Sequence, residues 1–270
     1  QPKSHPGLVS ALEAVEKNTQ QLGERFKKIE GQGLPQIDAE ALGPEAEQAL
    51  SGLVAWSTSE TGLSDKRCPD IGRPISMLTL GRLALVTAPD DAASPQVQAV
   101  LALAAECRRH GLLIHQMVGL VLAEEAIQWC RDRKLEPGPA FAQFAPKKEE
   151  VYSGLVRESI CMVDLTEKEI GSRGEETKNL DAGAPLGANF VMDRELLWIK
   201  KYNADLFEAL RPVSKDLGAL AAGLKTPGDE ELPPSFLIRL SAPQGLPGIV
   251  QRMAGHIETY ERLLKKPVSP

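Results

Sequence analysis

The sequence predicts an all-α fold, on three observations. Apolar residues recur at three- and four-residue steps along most of the 270-residue chain, the spacing of a single buried helical face. Aromatic residues are only 4% of the total, within 42% hydrophobic, and strands draw on aromatic and β-branched side chains far more than this. Proline, glycine and small polar residues cluster between the periodic stretches, where helices start and stop. The architecture expected is an irregular multi-helix bundle or a short helical solenoid around a long central helix. It is divided into an N-terminal heptad helix arm over 1–30 and a helical core domain over 38–270. Helix pairs follow one another, but no 34-residue tetratricopeptide period is present.

The first helix is expected over 7–30. Leu8, Leu12, Val15, Thr19, Leu22, Phe26 and Ile29 alternate four- and three-residue steps, which is a heptad seam. Such a seam packs either on its own domain or, as a coiled-coil arm, on a second chain. GQGLP at 31–35 ends it by glycine and proline chemistry. A second helix is predicted over 44–60, with Ala46, Leu50, Leu53, Val54 and Trp56 facing inward. Turn formers fill 61–73, and a third helix over 74–88 carries Ile75, Leu78, Leu80, Leu83 and Leu85.

The spine is expected over 94–135. Ser94 can accept a first-turn N–H, and Pro95 suits the first helical position, where its missing N–H costs nothing. Val97, Val100, Ala104, Cys107, Ile114, Val118, Val121 and Leu122 trace its buried face. Gly111 interrupts it. No proline or polar loop accompanies that glycine, and a lone glycine costs about 1 kcal/mol in a helix. One bent helix, roughly 60 Å long at the helical rise, is therefore favoured over a hairpin.

Pro137, Gly138 and Pro139 close the spine. A helix over 146–170 should bury Val151, Leu155, Ile160, Met162 and Leu165. Residues 171–187, with few large apolar side chains, read as a long exposed loop of the kind that is either functional or unstructured. A helix over 188–211 runs to Pro212, which should kink or stop it, with a continuation to Leu224. Phe236, Leu237, Ile238 and Leu240 form a short apolar run. The last helix, over 246–266, places Ile249, Met253, Ile257, Tyr260 and Leu264 on one face, and its basic end suits the helix dipole.

The charge balance is 31 basic against 37 acidic residues, net −6, with a sequence pI of about 5.4. A nucleic-acid partner would favour a basic surface, so none is expected. No stretch has the roughly 18 consecutive apolar residues of a membrane span. The four cysteines, Cys68, Cys107, Cys130 and Cys161, form no CxxC pair. Their even number permits two disulfides, with three connectivities. Cys107 and Cys161 also suit the role of small core hydrophobes, while Cys68, in a loop before Pro69, suits it less.

Catalytic signatures are missing: there is no GxSxG, no Walker loop, no GxGxxG and no HExxH. Glu106 and His110 stand four apart and share a helix face, as a metal ligand pair or an ion pair would. No second such motif supplies further ligands, so no catalytic, cofactor-binding or metal residue is assigned. His115, within an apolar segment, reads as a hydrogen-bonded core histidine, and His256 as part of a solvated edge. Glu158, Asp164, Glu167 and Glu169 form a charged helix face.

The function expected is that of a non-enzymatic interaction or scaffold protein with a protein partner or self-association, in an extracytoplasmic assembly. The alternative is a helical ligand-binding protein or enzyme with a cleft between the 94–135 and 188–211 helices, whose polar groups would be Glu106, His110 and Glu158.

Overall fold

Proline stands at the first position of α1 (Pro6–Arg25), α2 (Pro44–Ser57), α3 (Pro74–Val86), α4 (Pro95–His110) and α6 (Pro139–Gln143). Its fixed φ is already helical there, and the N–H it lacks would have had no partner inside the helix. The other helices are α5 (Leu113–Asp132), α7 (Lys148–Lys178), α8 (Leu217–Gly223) and α9 (Leu246–Lys265). The structure is a computed structural model. It describes residues 6–25, 43–59, 74–110, 112–178, 216–224 and 246–267, together with positions 197, 200, 201 and 204. Among the described residues there is no strand, and the protein is an all-α helical bundle. No helix of the described residues is long and apolar enough to cross a membrane.

The chain divides into two compact units, one of residues 1–154 with 255–270 and one of residues 155–254. In the first unit α3 is the most enclosed element. It packs against α1, α2, α4 and α5 and buries Met77, Leu80, Leu83, Ala84, Leu85 and Val86. Ser94 caps α4 as the sequence predicts, its hydroxyl accepting from the Val97 N–H at 3.4 Å.

The expected single bent spine is instead a hairpin. α4 ends at His110, Leu112 is extended at φ −68° and ψ 172°, and α5 starts at Leu113. The two helices then pack antiparallel along their lengths, and Gly119 shows why they can. A Cβ there would lie 2.5 Å from the Ala104 carbonyl oxygen and 2.8 Å from Arg108 Cγ, so only glycine lets the backbones approach this closely. Folding back lets Val97, Val100, Leu101, Ala104 and Cys107 share one core with Leu122, Ala126, Ile127 and Trp129. A straight helix would have spread those residues along its length. Ile114, expected inward, is 50% exposed, although Leu113, His115 and Gln116 on either side of it are buried.

α3 and α5 run parallel: Met77 on α3 meets Cys107, which lies against Gly119 early in α5, and further along both helices Arg82 meets Glu125. Ile75, also expected inward, is 68% exposed at the start of α3. α5 closes with a Schellman-type turn in which the Leu135 N–H donates to the Cys130 carbonyl at 2.9 Å and the Lys134 N–H to Arg131 at 3.0 Å. Lys134 takes the left-handed position, φ 58°, usually held by glycine.

Over its described residues the expected N-terminal arm is part of this core. Leu8, Ala11, Leu12 and Val15 are at most 3% exposed, and α1 packs against α2 and α3. The seam residues at 8, 12 and 15 do form a buried face, and their partner is the chain's own second and third helices. Phe26 and Ile29 lie outside the described residues.

In the second unit, α7 continues to Lys178, so the segment over 171–178, expected as loop, is helical. Gly171 and Gly174 lower helix propensity by only about 1 kcal/mol each, and arginine, glutamate and lysine surround them. The rest of the expected loop, 179–187, lies outside the described residues. Leu155 and Cys161 are buried as predicted, as is Val151 on the part of α7 that belongs to the first unit, but Ile160 is 41% exposed. The helix expected over 188–211 is described only at positions 197, 200, 201 and 204, which are helical, and Leu197 is 68% exposed. α8 starts at an Asp216 cap whose carboxylate accepts from the Gly218 and Ala219 N–H groups at 2.9 and 3.2 Å. The apolar run at 236–240 lies outside the described residues.

Candidate functional site

Among the described residues, the densest buried polar arrangement lies where the α4–α5 hairpin meets the start of α7, and Arg108 is its centre. The residue is only 2% exposed. Its Nε donates to Glu150 Oε2 at 2.9 Å, its Nη2 to the Phe144 carbonyl at 2.6 Å and its Nη1 to the Gly119 carbonyl at 3.3 Å. One guanidinium thus joins α4, α5, the end of α6 and the beginning of α7. A buried cation is tolerated only when paired and hydrogen-bonded, and each nitrogen of this one has an acceptor.

Glu150 has a second task. It is the third residue of α7, and its Oε2 reaches back to the Lys147 N–H at 3.1 Å, which is the glutamate half of a capping box. Gln116 completes the cluster. Its Nε2 donates to the Arg108 carbonyl at 2.8 Å and to the Glu150 carbonyl at 2.6 Å. Two carbonyl acceptors require the amide NH2 on that side, leaving Oε1 buried without a partner among the described residues. Gly154 faces that amide, and a Cβ there would collide with it.

A second buried ion pair joins α3 to α5. Arg82 grips Glu125 bidentately, Nε to Oε2 at 2.9 Å and Nη2 to Oε1 at 2.7 Å. That hydrogen bond, more than the accompanying charge attraction, raises the Arg82 pKa against the opposing effect of burial. α9 is fastened to α5 and α6 by polar contacts at three levels. His256 Nδ1 lies 2.5 Å from Glu124 Oε2, the buried Tyr260 hydroxyl donates to the Phe141 carbonyl at 2.7 Å, and Arg131 Nη2 donates to the Leu263 carbonyl. His256, expected at a solvated edge, is therefore a partly buried partner of a carboxylate.

α4 carries Glu106, half-buried, with His110 one turn further on. Glu158, also half-buried, is on α7 in the second unit. The expected cleft is not described, because most of its 188–211 wall lies outside the described residues. His115 is buried in α5 as expected. Among the described residues no group of three or more histidine, cysteine or acidic side chains could hold a metal ion.

The two-disulfide framework that the cysteine count permits is corrected: Cys107 and Cys130 are free, buried thiols. Each sits in apolar core, Cys107 with its sulfur 3.6 Å from that of Met77. Burial pushes both thiols up to about 12, against which neighbouring arginines pull only weakly. Cys161 is buried, and Cys68 lies outside the described residues.

Sequence reasoning missed Arg108, Gln116 and Glu150. Two of them carried a signal. Arg108 and Gln116 interrupt apolar periodicity on either side of Gly111, and polar residues in a buried stripe must find partners. Glu150 is three residues beyond Lys147, at capping-box spacing, but lysine does not mark an N-cap. The fold and its polar clasps define a helical bundle. Comparison with known protein families, with curated proteins and with solved structures finds no match to this chain.

Proposed function

We propose that the protein is a non-enzymatic helical interaction or scaffold protein, acting through a protein partner or through self-association. One observation carries this reading. The charged side chains most deeply buried among the described residues, Arg108 and Glu125, each meet an opposite charge on another helix. A buried ionisable group kept for chemistry is held with its reactive atoms open to a substrate. Here the three nitrogens of one and both oxygens of the other are committed to joining helices. Buried charge thus ties together the helices of the first unit, and helices held in this way are suited to presenting surface to another macromolecule.

The test uses the whole chain. Sedimentation velocity over a hundredfold concentration range, about the span that separates weak from firm association, reports self-association. Co-purification from the native source, followed by reconstitution from purified components, reports a heterologous partner. A concentration-dependent oligomer or a reconstituted complex of fixed stoichiometry is expected. A strictly monomeric chain that reconstitutes no complex, and whose melting temperature rises with a small metabolite, would overturn the proposal in favour of a ligand-binding protein or enzyme.

A further inference from the structure

We draw no further inference here: the strongest candidate, the apolar surface that Ile75 exposes at the start of α3, carries nothing because nothing in the structure shows what covers it.

Discussion

Replacing Glu150 with glutamine isolates the charge that the Arg108 clasp depends on. The amide keeps the shape of the side chain and an oxygen for the Lys147 N–H, so the α7 cap survives in outline. What disappears is the anion 2.9 Å from a guanidinium that is 2% exposed. Removing one partner of a buried pair costs about 3–5 kcal/mol. Two features place this case at the lower end. The Phe144 and Gly119 carbonyls still accept from Arg108, and Glu150 is 13% exposed, which leaves water an approach. A loss of about 3 kcal/mol is expected. Arg108→Met removes the cation and strips two carbonyls of their donor, for about 2 kcal/mol. The double variant should lose little more than Glu150→Gln alone, giving a coupling of about 2 kcal/mol. Urea unfolding at neutral pH, followed by far-UV circular dichroism, measures all three. A Glu150→Gln loss below about 1 kcal/mol, or additivity within about 0.5 kcal/mol, would refute the argument that this pair closes the hairpin onto α7.

Gly119→Val should cost about 3 kcal/mol or more in the same assay, because its Cβ meets backbone at 2.5 Å and the helices must separate; an unchanged midpoint would show that the hairpin contact is looser than described. Lys134→Gly should stabilise the protein by roughly 0.5–1 kcal/mol, the relief of a left-handed lysine at φ 58° less the extra freedom of glycine in the unfolded chain, and a loss of stability would contradict it. Cys107 and Cys130 should resist a thiol reagent in the folded protein and react once it is denatured, without reductant; at pH 8 a thiol whose pKa is about 12 is ionised in only about one molecule in ten thousand. The same shifts set the alkaline behaviour. From pH 9.0, the ordinary thiol value, to about 12, the unfolded chain has lost these protons while the folded one retains them. Stability should therefore fall as pH rises through that window, by up to about 1.4 kcal/mol per pH unit for each thiol, and a flat profile would mean that the thiols are accessible to water.

The fold class was legible because helical periodicity is local. Leu50, Leu53 and Trp56 of α2, or Met253, Ile257 and Tyr260 of α9, point inward whatever they pack against. The folding of the spine into a hairpin, where one bent helix was expected, was not legible. Gly111 marks where the chain could turn, but the turn is stabilised by Gly119 lying against Ala104 and by Gln116 reaching Arg108, contacts that exist only once the hairpin has closed. Likewise the seam of α1 was visible, whereas the identity of the helix it packs on is not a local property. Ile75 and Ile114 show the converse error: both are exposed while Ser76 and Met77, or Leu113 and His115, beside them are buried, because which side of a helix start meets a neighbour is set by the tertiary fold and not by local spacing. The polar clasp was hardest to foresee, since Arg108, Gln116 and Glu150 belong to separate helices and only their polarity within or beside apolar runs hinted at it.

Tyr260 belongs to the first unit's core, and its hydroxyl reaches Phe141, 119 residues earlier; Arg131 and Leu263 are 132 apart. A ribosome releases residues in order, so α1 to α6 emerge long before the segment that completes their packing. Until then the surfaces of α5 and α6 that receive Tyr260 remain open to water and to other nascent chains. Closing so wide a loop carries an entropic cost that grows only slowly with length. The burden of this topology therefore falls on the waiting time during synthesis, when the half-made body is most in need of a chaperone.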